Sequence, residues 1–260
     1  MQKALLVAVL GVLGLATLPV GAQQASHLER ILEAGVLRVG TTGDFNPMSF
    51  RDPATNEYDG FDIDVAKQLA ADMEIEIEFV PTDWKTLING IVADKYDIST
   101  SASLYMQRAK VAGYSAASVE FGTVPMTLKD NLDQFDGWDS INNPDIAVAV
   151  TLGTVFEGQA KEYFPDAQIV SVEAPARDYQ EVLANRALVS ITSNVEAASL
   201  IKTYPELTVI PVDKARSRRP GAFLLAQEDQ VWINYVNHWI ELKHTQGFFE
   251  QLGEKWGLPQ

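Results

Sequence analysis

The sequence predicts an α/β fold, and three observations carry that prediction. Short apolar or alternating runs of strand length recur at residues 36–40, 76–81, 145–150, 168–172 and 187–192. Between them lie longer segments whose apolar residues share one helical face, as Phe61, Val65 and Leu69 do. Alternation of the two patterns along a chain is the mark of strand–helix–strand units. Hydrophobic residues make up 47% of the 260, enough for a full core, and the length admits one or two domains.

Residues 1–22 read as a cleaved targeting segment. Lys3 supplies a positive start, residues 4–18 are almost wholly apolar, and Val20, Gly21 and Ala22 are the small residues of a cleavage site. A membrane span needs roughly 20 apolar residues, and this run is shorter and ends at Pro19. An exported protein is therefore expected. Cysteine is absent, which excludes disulfides, a catalytic thiol, thiolate metal sites and a lipid-modified N-terminal cysteine. A free protein of the periplasm fits best. The formal net charge is −15, and removing Lys3 with the targeting segment leaves −16. Such a surface disfavours nucleic acid and anionic membranes. His27, His238 and His244 lack zinc-ligand spacing, so no metal is expected.

Taken in order, residues 27–34 form a predicted helix closed by Gly35, and 36–40 form the first strand. The turn-rich loop 41–48 follows at the strand's C-terminal end, where open α/β sheets place their ligands. A helix begins after Asp59, with Asp62 and Asp64 as candidate caps. The strand 76–81 leads to Trp84, whose ring suits either a ligand body, a cation or the core. A helix covers 85–93. The strand 120–128 holds Gly122 and Pro125, which suit an edge, a bend or a crossing segment. Residues 131–143 are a polar surface connection.

Strand 145–150 ends in Thr151-Leu152-Gly153-Thr154 and a helix. Thr154 and Glu157 have capping-box spacing, and the amides of a helix N-terminus also favour an anion, so both readings fit Thr154. Strand 168–172, helix 178–186 and strand 187–192 come next. Ser193 and Glu196 then repeat the capping-box spacing at the start of a helix. Strands are expected at 207–212 and 221–226. Lys214, Arg216, Arg218 and Arg219 form a basic cluster read as surface loop, and helices follow at 230–244 and 248–256.

The chemistry concentrates in residues 97–115. Ser99, Ser101 and Ser103 alternate, so their hydroxyls leave one face of an extended segment. Arg108 follows, with a planar fork of donors suited to a carboxylate, sulfonate or phosphate. Hydroxyls and guanidinium together make a small anion receptor. The same residues also fit a serine-rich edge strand with an arginine paired to a local acid.

The pattern Ser101-x-Ser103-x4-Arg108-x6-Ser115 resembles the carboxylate-binding motif of the bacterial extracellular solute-binding proteins of family 3, the polar amino-acid type. The cyclohexadienyl dehydratases are an enzymatic branch of that architecture. Asp44, Phe45 and Pro47, the run Gly60-Phe61-Asp62-x-Asp64, and Gly153-Thr154 also fit, and the resemblance spans residues 28–256. It implies a two-lobed, periplasmic-binding-protein-like fold of type II, with two crossing strands as hinge and a ligand cleft between the lobes. Residues 27–122 and 222–260 would form lobe 1, and the inserted 123–221 lobe 2. It also implies ligand contacts from Asp44, Phe45, Trp84, Ser101, Ser103, Arg108, Thr154, Ser193 and Asn194, with Arg108, Ser103 and Thr154 on a carboxylate or sulfonate.

Two departures stand out. The strand from Asp97 to Ser101 is one residue shorter than the family pattern. Ser193 occupies the position where amino-acid-binding relatives carry an aspartate for the ligand's ammonium. A hydroxyl does not replace that charge, so an ordinary α-amino acid is disfavoured unless Asp44 or Glu196 supplies it. Glu196 stands where the dehydratase branch, which removes hydroxide and carbon dioxide from prephenate or arogenate, places its general acid. That role needs an apolar setting that keeps the carboxyl protonated. The first expectation is a monomeric periplasmic binding protein that delivers a small anionic or zwitterionic solute to an inner-membrane ABC-type importer. The alternative is a periplasmic cyclohexadienyl dehydratase using Glu196. Neither implies a cofactor.

Overall fold

In the computed structural model the described residues are 25–258, so the targeting segment expected at 1–22 lies outside the described residues. The first element, α1 (His27–Ala34), is capped as its sequence demands. The Ser26 hydroxyl accepts the Glu29 amide at 3.2 Å, and the Glu29 carboxylate accepts the Ser26 amide at 2.8 Å. Gly35, at φ 66°, ends it in the left-handed conformation that glycine takes without strain.

There follow β1 (Val36–Thr41) and a small antiparallel sheet of β2 (Asp44–Phe45), β3 (Ser49–Arg51) and β4 (Tyr58–Asp59). Then come α2 (Phe61–Asp72), β5 (Glu76–Pro81), α3 (Leu87–Val92) and β6 (Ile98–Ser103), the serine-rich strand. The long β7 (Gly113–Leu128) carries the chain into β8 (Ala147–Thr151), α4 (Val155–Tyr163), β9 (Gln168–Val172), α5 (Asp178–Leu183), β10 (Val189–Ser193), α6 (Asn194–Thr203) and β11 (Leu207–Val209). β12 (Arg216–Leu225) returns, and α7 (Gln230–Thr245) and α8 (Phe248–Trp256) close the fold.

The strand order is β5-β1-β6-β12-β7-β10-β8-β9, with β11 beside β7. β1 lies parallel to β5 and β6, and β8 parallel to β9 and β10. β7 and β12 run antiparallel to their neighbours and join the two parallel groups, which gives two α/β lobes. One core packs Phe61, Val65 and Leu69 against Trp232, Val236 and Trp239. On the other side Val148, Val150 and Ile191 pack with Phe164, and Met126 and Val182 with Leu200. Trp232 is fully buried, and its indole N–H donates to the Asp97 carbonyl at 3.1 Å.

Several boundaries differ from the sequence expectation. β7 begins at Gly113 rather than residue 120, and β12 at Arg216 rather than residue 221. The two crossing strands pair with each other over most of their length, and that pairing extends strand into segments whose composition reads as loop. Ser115 belongs to this junction: its hydroxyl accepts the Phe223 amide at 2.9 Å. The basic cluster is likewise not a plain loop. Arg216 lies 4.7 Å from the Trp138 ring centroid, Arg218 pairs with Glu120 at 2.8 Å, and Arg219 lies 5.5 Å from the Tyr105 ring centroid. The Thr154–Glu157 box does not form. The Thr154 hydroxyl donates to the Thr151 carbonyl at 2.6 Å, and the Glu157 carboxylate accepts the Gly153 amide at 3.2 Å.

Candidate functional site: a cleft between the lobes

A pocket between the lobes is lined by Phe45, Trp84, Ser103, Arg108, Thr154, Val155, Phe156, Arg177 and Glu196. Each side chain comes from just past the C-terminal end of a strand or from that end itself. Phe45 follows β1, Trp84 follows β5, and Ser103 and Arg108 follow from β6. Thr154, Val155 and Phe156 follow β8, Arg177 follows β9, and Glu196 follows β10. Two facing parallel groups thus bring their ligand-side ends to one crevice.

Lobe 1 supplies aromatic walls and a cation. Phe45 meets Trp84 edge-on at 5.8 Å between centroids and Phe121 at 5.6 Å. The Trp84 indole N–H donates to the Asp44 carboxylate at 3.0 Å. Arg108 is 6% exposed, and its Nη2 donates across the cleft to the Gly153 carbonyl at 2.9 Å. Burial lowers its pKa, while Tyr114 and Tyr105 raise it.

Lobe 2 supplies an acid and a second guanidinium. Glu196 is 2% exposed and sits in the first turn of α6. The Thr192 hydroxyl donates to its Oε2, and Arg177 Nη2 donates to its Oε1 at 2.8 Å. Burial pushes its pKa up to about 7; Arg177 pulls against that, and the charges of Asp178 and Asp44 add to it. The neighbouring Asp178 is buried and also raised, chiefly by burial. Its Oδ1 accepts the Thr151 hydroxyl at 2.7 Å, and its Oδ2 has no hydrogen-bond partner.

Polar contacts cross between the lobes. Besides Arg108–Gly153, Arg177 Nη1 donates to the Asp44 carbonyl and lies 3.3 Å from the Asp44 carboxylate, and Lys85 pairs with Glu173 at 2.8 Å. Gly153, at φ +81°, packs directly on the Trp84–Lys85 backbone, where a Cβ would come within 2.6 Å of the Lys85 nitrogen.

Of the residues singled out from sequence, Phe45, Trp84, Ser103, Arg108, Thr154 and Glu196 line the pocket together. Asp44 stands at its edge, bound to Trp84 and Arg177. Ser101 lies in β6. The Ser193 hydroxyl caps α6, accepting the Glu196 amide at 3.0 Å. The Asn194 side-chain Oδ1 accepts the Gly122 amide at 2.8 Å and so ties α6 to the crossing strand. The Thr154 amide also turns back to the Thr151 carbonyl, at 3.3 Å, which leaves the α4 N-terminus to Val155 and Phe156. Arg177 escaped the sequence reading. Its signal was a cation at a helix N-cap, where an oxygen acceptor is preferred and the dipole opposes positive charge. No cluster of His, Cys, Asp and Glu among the described residues could hold a metal.

Known proteins resemble this chain in sequence and in overall fold. The cyclohexadienyl dehydratase of Pseudomonas aeruginosa is 31% identical over 236 residues, 90% of this chain and 87% of that protein. The L-cystine-binding protein TcyJ of Escherichia coli is 23% identical over 88% of this chain and 85% of its own length. The crystal structure of AncCDT-1, an ancestral amino acid-binding protein and precursor of cyclohexadienyl dehydratase, superposes with a TM-score of 0.83 at 35% identity, covering 89% of this chain and 99% of that one. An ancestral cyclohexadienyl dehydratase, AncCDT-3, is 42% identical over 90% of this chain and 98% of its own, with a TM-score of 0.55. Residues 37–259 match the family described as bacterial extracellular solute-binding proteins, family 3. The two α/β lobes, the crossing strands and this sequence match have one reading: the chain belongs to the bacterial extracellular solute-binding proteins of family 3.

Proposed function

We propose that this chain is a periplasmic cyclohexadienyl dehydratase acting on a prephenate-like carboxylate. The observation that carries the reading is Glu196. It is a carboxyl at the wall of the ligand pocket, almost wholly buried, with a pKa near 7. A general acid is most effective with a pKa near the working pH, and Glu196 meets that requirement at the pocket wall. Arg108 grips a carboxylate of the substrate, and Phe45, Trp84 and Phe156 enclose its ring. Glu196 gives its proton to the ring hydroxyl, whose C–O bond breaks to release water. The bond from the ring to its carboxylate breaks with loss of carbon dioxide, and that electron pair completes the aromatic ring. Glu196, left as carboxylate, takes its next proton from solvent.

The test is incubation of the mature protein with prephenate at pH 7 while phenylpyruvate is followed. Turnover that falls at least a hundredfold in Glu196→Gln, the lower bound for loss of a general acid at roughly 10²–10⁴-fold, supports the reading. Absence of turnover contradicts it.

A second reading, delivery of an amino-acid-like solute to an inner-membrane ABC-type permease, draws on a different observation. The Asp44 carboxylate stands at the pocket edge beside Trp84 and offers a negative charge to an ammonium in place of the one missing at Ser193. Under this reading a ligand at about 100 times its dissociation constant adds roughly 2.7 kcal/mol of stability without being consumed. Both readings take the chain as a monomer whose lobes close over the ligand.

A further inference from the structure

Arg177 is the most heavily engaged cation in the cleft, and the reaction proposed for Glu196 gives it no role. It is 5% exposed and lines the pocket. Its Nη2 donates to Glu196 at 2.8 Å, its Nε to the Thr151 hydroxyl at 3.1 Å, and its Nη1 faces Asp44. The charged and titratable groups facing Glu196 are Arg177 itself, Asp178 and Tyr179 from α5, and Asp44 from β2, with the Thr192 hydroxyl from β10. Arg177 is the one cation in that set. Arg108, the other pocket guanidinium, comes from the opposite lobe and is bonded to Gly153 instead.

We infer that Arg177 is the receptor for a second carboxylate of the substrate, and that in taking it the guanidinium leaves Glu196. The proposal rests on the dehydratase reading and narrows its substrate to a dicarboxylate without an ammonium, prephenate rather than arogenate. A ligand carboxylate competes with Glu196 for the same fork of donors. Glu196, stripped of its counter-ion in a buried site beside Asp178, then holds its proton firmly. During the reaction negative charge moves from the ring carboxylate, lost as carbon dioxide, to Glu196, which has given its proton to the departing hydroxyl. Arg177 follows that charge back to Glu196, so the cleft is never left with an unpaired buried ion. An ammonium placed here would meet Arg177 as a like charge.

The test is calorimetry at pH 8 with phenylsuccinate, an unreactive aryl dicarboxylate, in buffers of different ionisation enthalpy, with phenylacetate as the one-carboxylate control. The wild type takes up close to one proton on binding phenylsuccinate and clearly less on binding phenylacetate. Arg177→Gln binds phenylsuccinate at least tenfold more weakly and loses the difference in proton uptake. Should Arg177→Gln fail to fold, Arg177→Lys keeps the charge but loses the fork, and the same tenfold weakening is expected. Wild-type binding without proton uptake, no wild-type binding, or unchanged affinity in the folded variant overturns the inference. Turnover separates the two ideas. No phenylpyruvate from the wild type sinks the dehydratase reading whatever the calorimetry shows. Turnover with an unaltered KM in Arg177→Gln sinks only the role given to Arg177.

Discussion

Replacing Gly153 by alanine tests whether closure of the two lobes is what makes the site. Gly153 sits at φ +81°, and its added Cβ would lie 2.6 Å from the Lys85 nitrogen, 2.7 Å from the Lys85 Cα and 2.8 Å from the Trp84 carbonyl carbon. These are backbone atoms of the opposite lobe and cannot turn aside as a side chain does. Reaching ordinary contact at about 3.5 Å requires the lobes to part by roughly 1 Å. The left-handed backbone adds a cost of about 1–2 kcal/mol within lobe 2 for a residue with a Cβ. The same separation lengthens the Arg108–Gly153 bond, now 2.9 Å, and draws Arg108 away from Glu196 and Arg177. A misplacement of about 1 Å at a reacting centre costs on the order of a hundredfold in rate. Gly153→Ala should therefore stay folded, with a modest fall in melting temperature, and lose about two orders of magnitude in kcat/KM for prephenate. Small-angle scattering with ligand should show a larger radius of gyration than the liganded wild type. A folded variant that closes and turns over like the wild type would show that the Gly153 contact does not set the closed geometry.

Other expectations follow from the same geometry. Arg108→Met should raise the KM for prephenate by about 30-fold or more, since losing one partner of a buried charged pair costs roughly 2–5 kcal/mol; an unchanged KM contradicts the role given to Arg108. Glu196 has a folded pKa of about 7, above its ordinary 4.5, so the native state holds this proton more tightly than the unfolded chain does. Its contribution to stability is fully present below about pH 4.5 and is lost as pH rises through about 7, a loss on the order of 3 kcal/mol. Urea denaturation at pH 5 and pH 8 should accordingly show a shallower pH dependence in Glu196→Gln than in the wild type; Asp178, raised in the same direction, keeps part of the slope. Equal slopes would count against a proton held in the cleft. Trp232→Ala, which empties a fully buried site and strips the Asp97 carbonyl of its indole partner, should cost about 3–5 kcal/mol in the same denaturation assay.

What could be read from sequence was local. The serine alternation and the fork of Arg108 are neighbours in the chain, and the strand–turn–helix units set Thr154 and Glu196 at strand ends whatever their partners are. The buried stripe of Phe61, Val65 and Leu69 was equally plain, because helical period alone fixes it. What escaped were partnerships between distant residues. Arg177 meets Asp44 across 133 positions, and no window of sequence holds both. The Thr154–Glu157 spacing suggested a box, yet one oxygen of Glu157 takes the Gly153 amide in place of that of Thr154, and the other takes Lys161 at 2.7 Å and the Ser171 hydroxyl at 3.0 Å. Ser193 caps α6 as its spacing to Glu196 suggested, whereas Asn194 pins the crossing strand, a bond whose partner the local sequence pattern does not announce. The length of β7 and β12 was hidden for the same reason, since each is strand because the other lies beside it.

The proposed reaction requires Glu196 to keep a proton at neutral pH inside the cleft. Carbon-13 NMR of the glutamate side-chain carboxyls, with Glu196→Gln to assign the resonance, measures this directly. A midpoint near 7 that moves upward when a dicarboxylate binds agrees with the account. A midpoint near 4.5, unmoved by ligand, contradicts it.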